Sequence, residues 1–130
     1  MKKIIAAFTS AAMLLTGCSS GTKTAYTQIT QDDAKRMMDE QDVIILDVRE
    51  DYEYDAGHIK GAVLLPVGSI SEETAASVIP DKDSTVLVYC RSGNRSKKAM
   101  DILYKNGYNV IELATGANGW VDAGKELVKK

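Results

Sequence analysis

The sequence predicts an α/β domain built on a mostly parallel sheet of about five strands with helices on both faces. Three observations predict it. The runs "VIIL" (Val43 to Leu46) and "TVLVY" (Thr85 to Tyr89) are continuously apolar and β-branched, the pattern of strands covered on both sides. Between such runs lie stretches with helix start and stop signals, and strands alternating with helices imply parallel pairing. The 130 residues, 45% hydrophobic and 26% charged and without internal repeats, suit one globular domain with its own core.

The elements follow in order. "TQDDAKRMMDEQ" opens on Thr30 as N-cap with Asp32 and Asp33 in the first turn, and it predicts a helix. "VIIL" is the first buried strand. "REDYEYDAG" reads as a short helix or turn ending at Gly57, and "GAVLLP" as a strand stopped by Pro66. "SEETAASVI" starts with Ser71 as N-cap and ends at Pro80. After "TVLVY", the stretch "RSKKAMDILYKNG" is amphipathic, with Ala99, Ile102 and Leu103 on one face and Gly107 as its stop. "NVIEL" (Asn109 to Leu113) is one more strand, and "GANGWVDAGKELV" closes the chain with helical character.

The N-terminus stands apart. Lys2 and Lys3 precede "IIAAFTSAAMLL" (Ile4 to Leu15), too short for a membrane span and suited to a signal-peptide core. "LTGC" follows, and it resembles the lipobox of bacterial lipoproteins, whose cysteine is lipidated after cleavage. Residues 1–17 are therefore expected to be a signal peptide, 18–25 a lipidated start and polar tether, and 26–130 the folded domain. That places the protein in the cell envelope, held to a membrane through Cys18. It would sit on the outer face of the cytoplasmic membrane, or on the periplasmic side where there are two membranes. Loss of residues 1–17 leaves fourteen basic against eighteen acidic residues, a net charge of −4. The whole chain carries −2, which excludes nucleic acid as an expected partner. With Cys18 lipidated, Cys90 has no intramolecular disulfide partner, and a lone thiol outside the cytoplasm needs a reason. No obvious apolar patch argues for an oligomer, so a monomer is expected.

That reason lies in "CRSGNRS" (Cys90 to Ser96). Cys90 stands where a buried strand ends and a helix begins, the place where sheets of this class carry their sites. Backbone N–H groups of the loop and the helix N-terminus would face the sulfur, and Gly93 would let the loop curl with positive φ. Arg91 and Arg95 add full charges. Together these favour a thiolate, and the same cradle would hold an anion bonded to the sulfur. The plainer alternative is a structural core cysteine. Two arginines and a glycine within six residues argue against it.

"CRSGNRS" resembles the active-site loop of rhodanese-like domains. "ILDVREDYEYDAGHIKGAVLLP" (Ile45 to Pro66) is similar to the family's N-terminal signature, with Asp47, Arg49, Glu53, Gly57, His58, Ile59, Gly61, Ala62 and Pro66 in place. "TGANGW" (Thr115 to Trp120) is similar to its Gly-Gly-x-x-x-Trp, with Thr115 in place of the first glycine. The resemblance runs from about Tyr26 to Ala123 and implies a single rhodanese-like module.

The resemblance implies sulfur transfer. Cys90 would take a sulfane sulfur from a small anionic donor, thiosulfate or a persulfide, and pass it to a thiol or cyanide. No metal or organic cofactor would be required. Arg91 and Arg95 would bind the donor or stabilise the loop, with the division between them open; Ser92, Gly93, Asn94 and Ser96 would contribute amides, Ser96 also a hydroxyl. Asp47 is expected behind the loop, bonded to its amides or to an arginine, or else as a simple turn former. Arg49 and Glu53 are expected as a rim ion pair, and His58 as a structural residue bonded to a neighbouring loop. Trp120 reads as core or rim. The alternatives are a non-enzymatic persulfide carrier or protein-binding module. Less favoured is a phosphatase or arsenate reductase, which needs one more residue between cysteine and arginine.

Overall fold

A computed structural model describes residues 27–130. The expected signal peptide (1–17), the lipidated Cys18 and the tether (18–25) lie outside the described residues.

Five strands form one parallel sheet in the order β1-β5-β4-β2-β3. They are β1 (Gln28–Ile29), β2 (Val43–Asp47), β3 (Val63–Leu64), β4 (Thr85–Tyr89) and β5 (Asn109–Leu113). The helices are α1 (Gln31–Glu40), α2 (Asp51–Ala56), α3 (Glu72–Val78), α4 (Asn94–Lys105) and α5 (Gly116–Asp122). All strand pairings in the sheet are parallel. The start signals act as the residue types dictate: the Thr30 hydroxyl accepts from Asp33 N at 3.2 Å, and the Ser71 hydroxyl from Thr74 N at 3.1 Å.

Side-chain alternation sorts the central strands into two cores. Val86, Val88 and Cys90 join Leu46, Val48 and Val110 beneath α3 and α4. Leu87 and Tyr89 join Ile45 and Leu113 beneath α1 and α5, where Ala34, Ala117 and Trp120 cover them. Helices therefore lie on both faces, as expected.

Three details differ from the sequence reading. β1 is unannounced: two residues, half polar, carry no apolar signal, and they form a strand only because β5 offers an edge. α5 ends at Asp122, because Gly124 takes φ +83 and the chain then turns back. Its last residues run along His58, with paired backbone bonds between His58 and Val128 at 2.8 and 2.7 Å. The buried face of α4 is Ser96, Ala99, Met100 and Leu103, while Ile102 is only half-buried at its flank.

Leu103 is fully buried on that face. Leu103→Ala is expected to cost about 2–5 kcal/mol in urea unfolding, and Ile102→Ala clearly less. Equal losses would contradict the assigned face.

Candidate active site

β4 carries Cys90 to the carboxyl edge of the sheet, and the turn Arg91 to Gly93 leads into α4. Gly93 is the N-cap, at φ +111, a conformation natural to glycine; a Cβ there would stand 3.0 Å from Ala114 O. This curl aims the Gly93 amide at the sulfur, with N to Sγ at 3.1 Å. Ser96 Oγ, one turn into α4, lies 3.5 Å from Sγ.

A second glycine holds the loop from outside. The start of α5 meets it with Ala117 N donating to Cys90 O at 2.8 Å and Asn118 N to Arg91 O at 3.0 Å. Gly116, at φ +63, makes this approach possible, since a Cβ would come within 2.6 Å of Arg91 O. Thr115 sits in the right-handed region at φ −90, so a glycine is not required there. Space for its side chain comes from Gly119, where any Cβ would collide with it.

Cys90 is 1% exposed. Burial by itself would push the thiol up; the Ser96 hydroxyl and the amides of Ser96, Gly93 and Ser92 outweigh it, and the thiol is held below its ordinary range. Neutral dipoles thus do the work that the sequence reading shared with the arginines. Arg95 is engaged elsewhere: its guanidinium forks onto Glu53 of α2 at 2.6 and 2.9 Å. Arg91 is exposed, and its guanidinium has no hydrogen bond or ion pair among the described residues. Ser92 and Asn94 are exposed on the loop's outer side, while Ser96 is fully buried.

The supporting residues depart from expectation. The Arg49–Glu53 rim pair does not form. Arg49 is buried and turns back onto Asp47, with Nη2 to Oδ2 at 2.7 Å and Nε to Oδ1 at 3.0 Å. A fully buried carboxylate needs a cation, and the arginine two residues on is near enough to supply it. Asp47 also accepts from the Tyr89 hydroxyl at 2.7 Å and from Arg49 N at 2.9 Å, and burial together with Asp47 pushes the Tyr89 phenol up. This cluster belongs to the α1/α5 face, across the sheet from the sulfur, so Asp47 bonds an arginine but no loop amide. His58 turns its ring to helix α2, where a neighbouring loop was expected. Its Nδ1 donates to Tyr54 O at 2.8 Å and its ring stacks on Tyr54. Trp120 is core and donates to Glu126 O at 3.1 Å.

The sequence reading missed Glu112. It is fully buried on β5, and its carboxylate accepts from the Ser96 hydroxyl and from Gln28 Nε2 at 2.8 Å. The signal was there: two residues after Val110, Glu112 shares its inward face, where an acid is anomalous. Among the described residues no group of three or more His, Cys, Asp or Glu side chains could hold a metal ion.

Residues 30–123 match the Rhodanese-like domain family. The chain belongs to this family. Among its relatives is thiosulfate sulfurtransferase PspE of Escherichia coli, 41% identical over 71 residues, covering 55% of this chain and 67% of that one. A putative mitochondrial thiosulfate sulfurtransferase of Schizosaccharomyces pombe is 36% identical, covering 75% and 74%. The crystal structure of a rhodanese-related protein from Thermoplasma volcanium superposes with TM-score 0.69 at 28% identity, covering 81% of this chain and all (100%) of that one. The rhodanese fold is thus a shared feature.

Two predictions follow from this geometry. Gly116→Ala is expected to destabilise the domain by at least about 1–2 kcal/mol, the cost of a side chain in the left-handed region, and to slow alkylation of Cys90. An unchanged melting curve and alkylation rate would show that α5 does not set the loop. Second, the bond to Arg95 holds the Glu53 carboxyl at about 2, below its ordinary 4.5. A depressed folded-state value contributes stability above pH 4.5 that is lost as pH falls toward 2. The stability gap between wild type and Arg95→Leu should therefore close over that interval in urea titrations; a constant gap would contradict the pairing.

Proposed function

We propose that the protein is a sulfurtransferase in which Cys90 carries the transferred sulfur as a persulfide. The observation that carries this reading is the convergence of the Gly93, Ser92 and Ser96 amides on one buried sulfur, with Gly93 N at 3.1 Å. The ring stabilises a thiolate, and the same donors suit the terminal sulfur anion that replaces it. The Cys90 thiolate attacks the outer sulfur of thiosulfate; the sulfur–sulfur bond of the donor breaks and sulfite leaves with its electron pair. An acceptor thiolate then attacks the terminal sulfur and frees the Cys90 thiolate. Two half-reactions through one covalent intermediate give ping-pong kinetics.

The two arginines divide the labour left open by the sequence. Arg95, committed to Glu53, braces the loop against α2. Arg91, exposed and uncommitted at the rim, meets the anionic donor. It also lines a surface cavity of about 610 Å³ with Tyr52, Glu53, Asn118 and Val121, room for an organic thiol as acceptor. The commitment of Arg95 disfavours an oxyanion-handling phosphatase, because no guanidinium completes the ring. The sulfurtransferase names of the two relatives agree with this reading.

Intact-mass spectrometry after exposure to thiosulfate is the test. The wild type should gain one sulfur on Cys90 and release it to a thiol, and Cys90→Ser should gain none. Arg91→Ala should lower kcat/KM for thiosulfate by about 10–100-fold, the worth of one charge-assisted bond, with unfolding unchanged. Absence of the sulfur adduct in the wild type would overturn the proposal.

A further inference from the structure

Cys90 and Glu112 share a single hydroxyl hydrogen. Ser96 Oγ lies between them, 3.5 Å from Cys90 Sγ and hydrogen-bonded to Glu112 Oε2. A serine hydroxyl has one hydrogen to give. With Cys90 as a thiol the count closes: S–H donates to Ser96 Oγ, and the Ser96 O–H donates to the Glu112 carboxylate. With Cys90 as a thiolate it does not close. The sulfur anion now needs the Ser96 hydrogen, and turning it away strips Glu112 Oε2 of that donor in a fully buried place.

The charge balance raises the same difficulty. Glu112 lies on the α4 face of the sheet, in register with Val88, so it stands behind the loop that must hold an anion. A Cβ on Gly93 would already be within 3.9 Å of Oε2. A fixed carboxylate there opposes a thiolate. The groups facing Glu112 are Gln28 from β1, Ser96 from α4 and Lys97, whose Nζ is 3.7 Å from Oε1 while also donating to Gly93 O at 3.2 Å. Those facing Cys90 are the Ser96 hydroxyl, the loop amides and the charge of Arg95, which is itself paired to Glu53. The Asp47, Arg49 and Tyr89 cluster lies across the sheet.

We propose that Glu112 accepts the Cys90 proton through the Ser96 hydroxyl, so that the sulfur ionises without a net change of charge in the buried site. The Sγ–H bond breaks as its proton joins Ser96 Oγ, and the original Ser96 proton passes to Glu112 Oε2. The thiolate then accepts from Ser96, and the new carboxylic acid donates to Ser96 Oγ. No electrons are exchanged with any other group, and every polar atom of the trio keeps a partner. At 1% exposure the thiol has little water to take its proton directly, and the relay supplies an acceptor within the fold. Glu112 acts through Ser96 and does not touch substrate, so it is a positioning and proton-holding residue. The inference rests on Cys90 being the nucleophile of the proposed reaction, but its test uses no sulfur transfer.

The test follows the full-length chain on alkylation with iodoacetamide, reading modification at Cys90 by peptide mass spectrometry and the protonated-carboxyl band by difference infrared spectroscopy. In the wild type near neutral pH, alkylation of Cys90 should remove that band and release the one proton the pair held, because the neutral acid loses its thiolate partner. The rate should stay within about twofold over an interval of pH where the pair holds one shared proton. Glu112→Gln keeps an acceptor for Ser96 but takes no proton. It should show no band and a single titration step rising about tenfold per pH unit. Ser96→Ala, which cuts the relay and leaves the acid, should also lose the band, and it serves if Glu112→Gln fails to fold. A wild type with no carboxyl band, or a band that persists in either variant, would overturn the relay. Failure of thiosulfate loading alongside the expected infrared change would instead sink the sulfurtransferase reading and leave the relay standing.

Discussion

The orientation of two peptide planes governs this site. The carbonyls of Cys90 and Arg91 are taken by the first amides of α5, at 2.8 and 3.0 Å. In a trans peptide the following N–H points the opposite way. Fixing those carbonyls outward therefore turns the Ser92 amide inward, the positive φ of Gly93 adds a second from the far side, and the Ser96 amide is the third. The cradle is thus made by what stands behind it. α5 is there because β5 delivers it, and it comes close enough because Gly116 has no side chain.

Burial and polarity oppose each other at the sulfur, and hydrogen bonds to neutral groups decide the outcome. A thiol this deep would be inert without them, since desolvation disfavours its anion more than any other single effect here. The arginines act at a distance from this contest. Arg95 ties the first turn of α4 to α2 through Glu53, which fixes the loop against a second helix. Arg91 keeps its charge unneutralised at the rim. On the other face of the sheet, Asp47, Arg49 and Tyr89 form a closed, satisfied cluster that joins β2 to β4 and to the chain near Ile59. It stiffens the floor of the site without touching it.

The two faces of β4 therefore have separate duties. Tyr89 looks toward α1 and α5 and anchors the sheet; Cys90, next in line, looks toward α4 and sets its thiol there. Ser96 and Glu112 meet Cys90 on that second face because α4 crosses directly over the β4–β5 pair. A buried acid behind an anion cradle is costly unless its charge responds to the charge in front of it. That coupling gives Glu112 a place in the economy of the site.

Much of the fold was legible in the residues themselves. Continuous β-branched runs marked β2 and β4, capping signals marked α1 and α3, and the alternation of elements implied a parallel sheet, because these are local regularities of the backbone. Cys90, Gly93 and the polarity of their loop were legible for the same reason, being contiguous. What the tertiary structure decided were choices between distant partners. Arg49 chose Asp47 over Glu53, Glu53 chose Arg95, and a two-residue β1 formed only because β5 had an open edge. Glu112 came to lie under Ser96 through the register of β5 against β4. Spacing along a chain ranks near neighbours but cannot say which of several charges a fold will bring within hydrogen-bond reach. That depends on packing, where small displacements decide which pairs form.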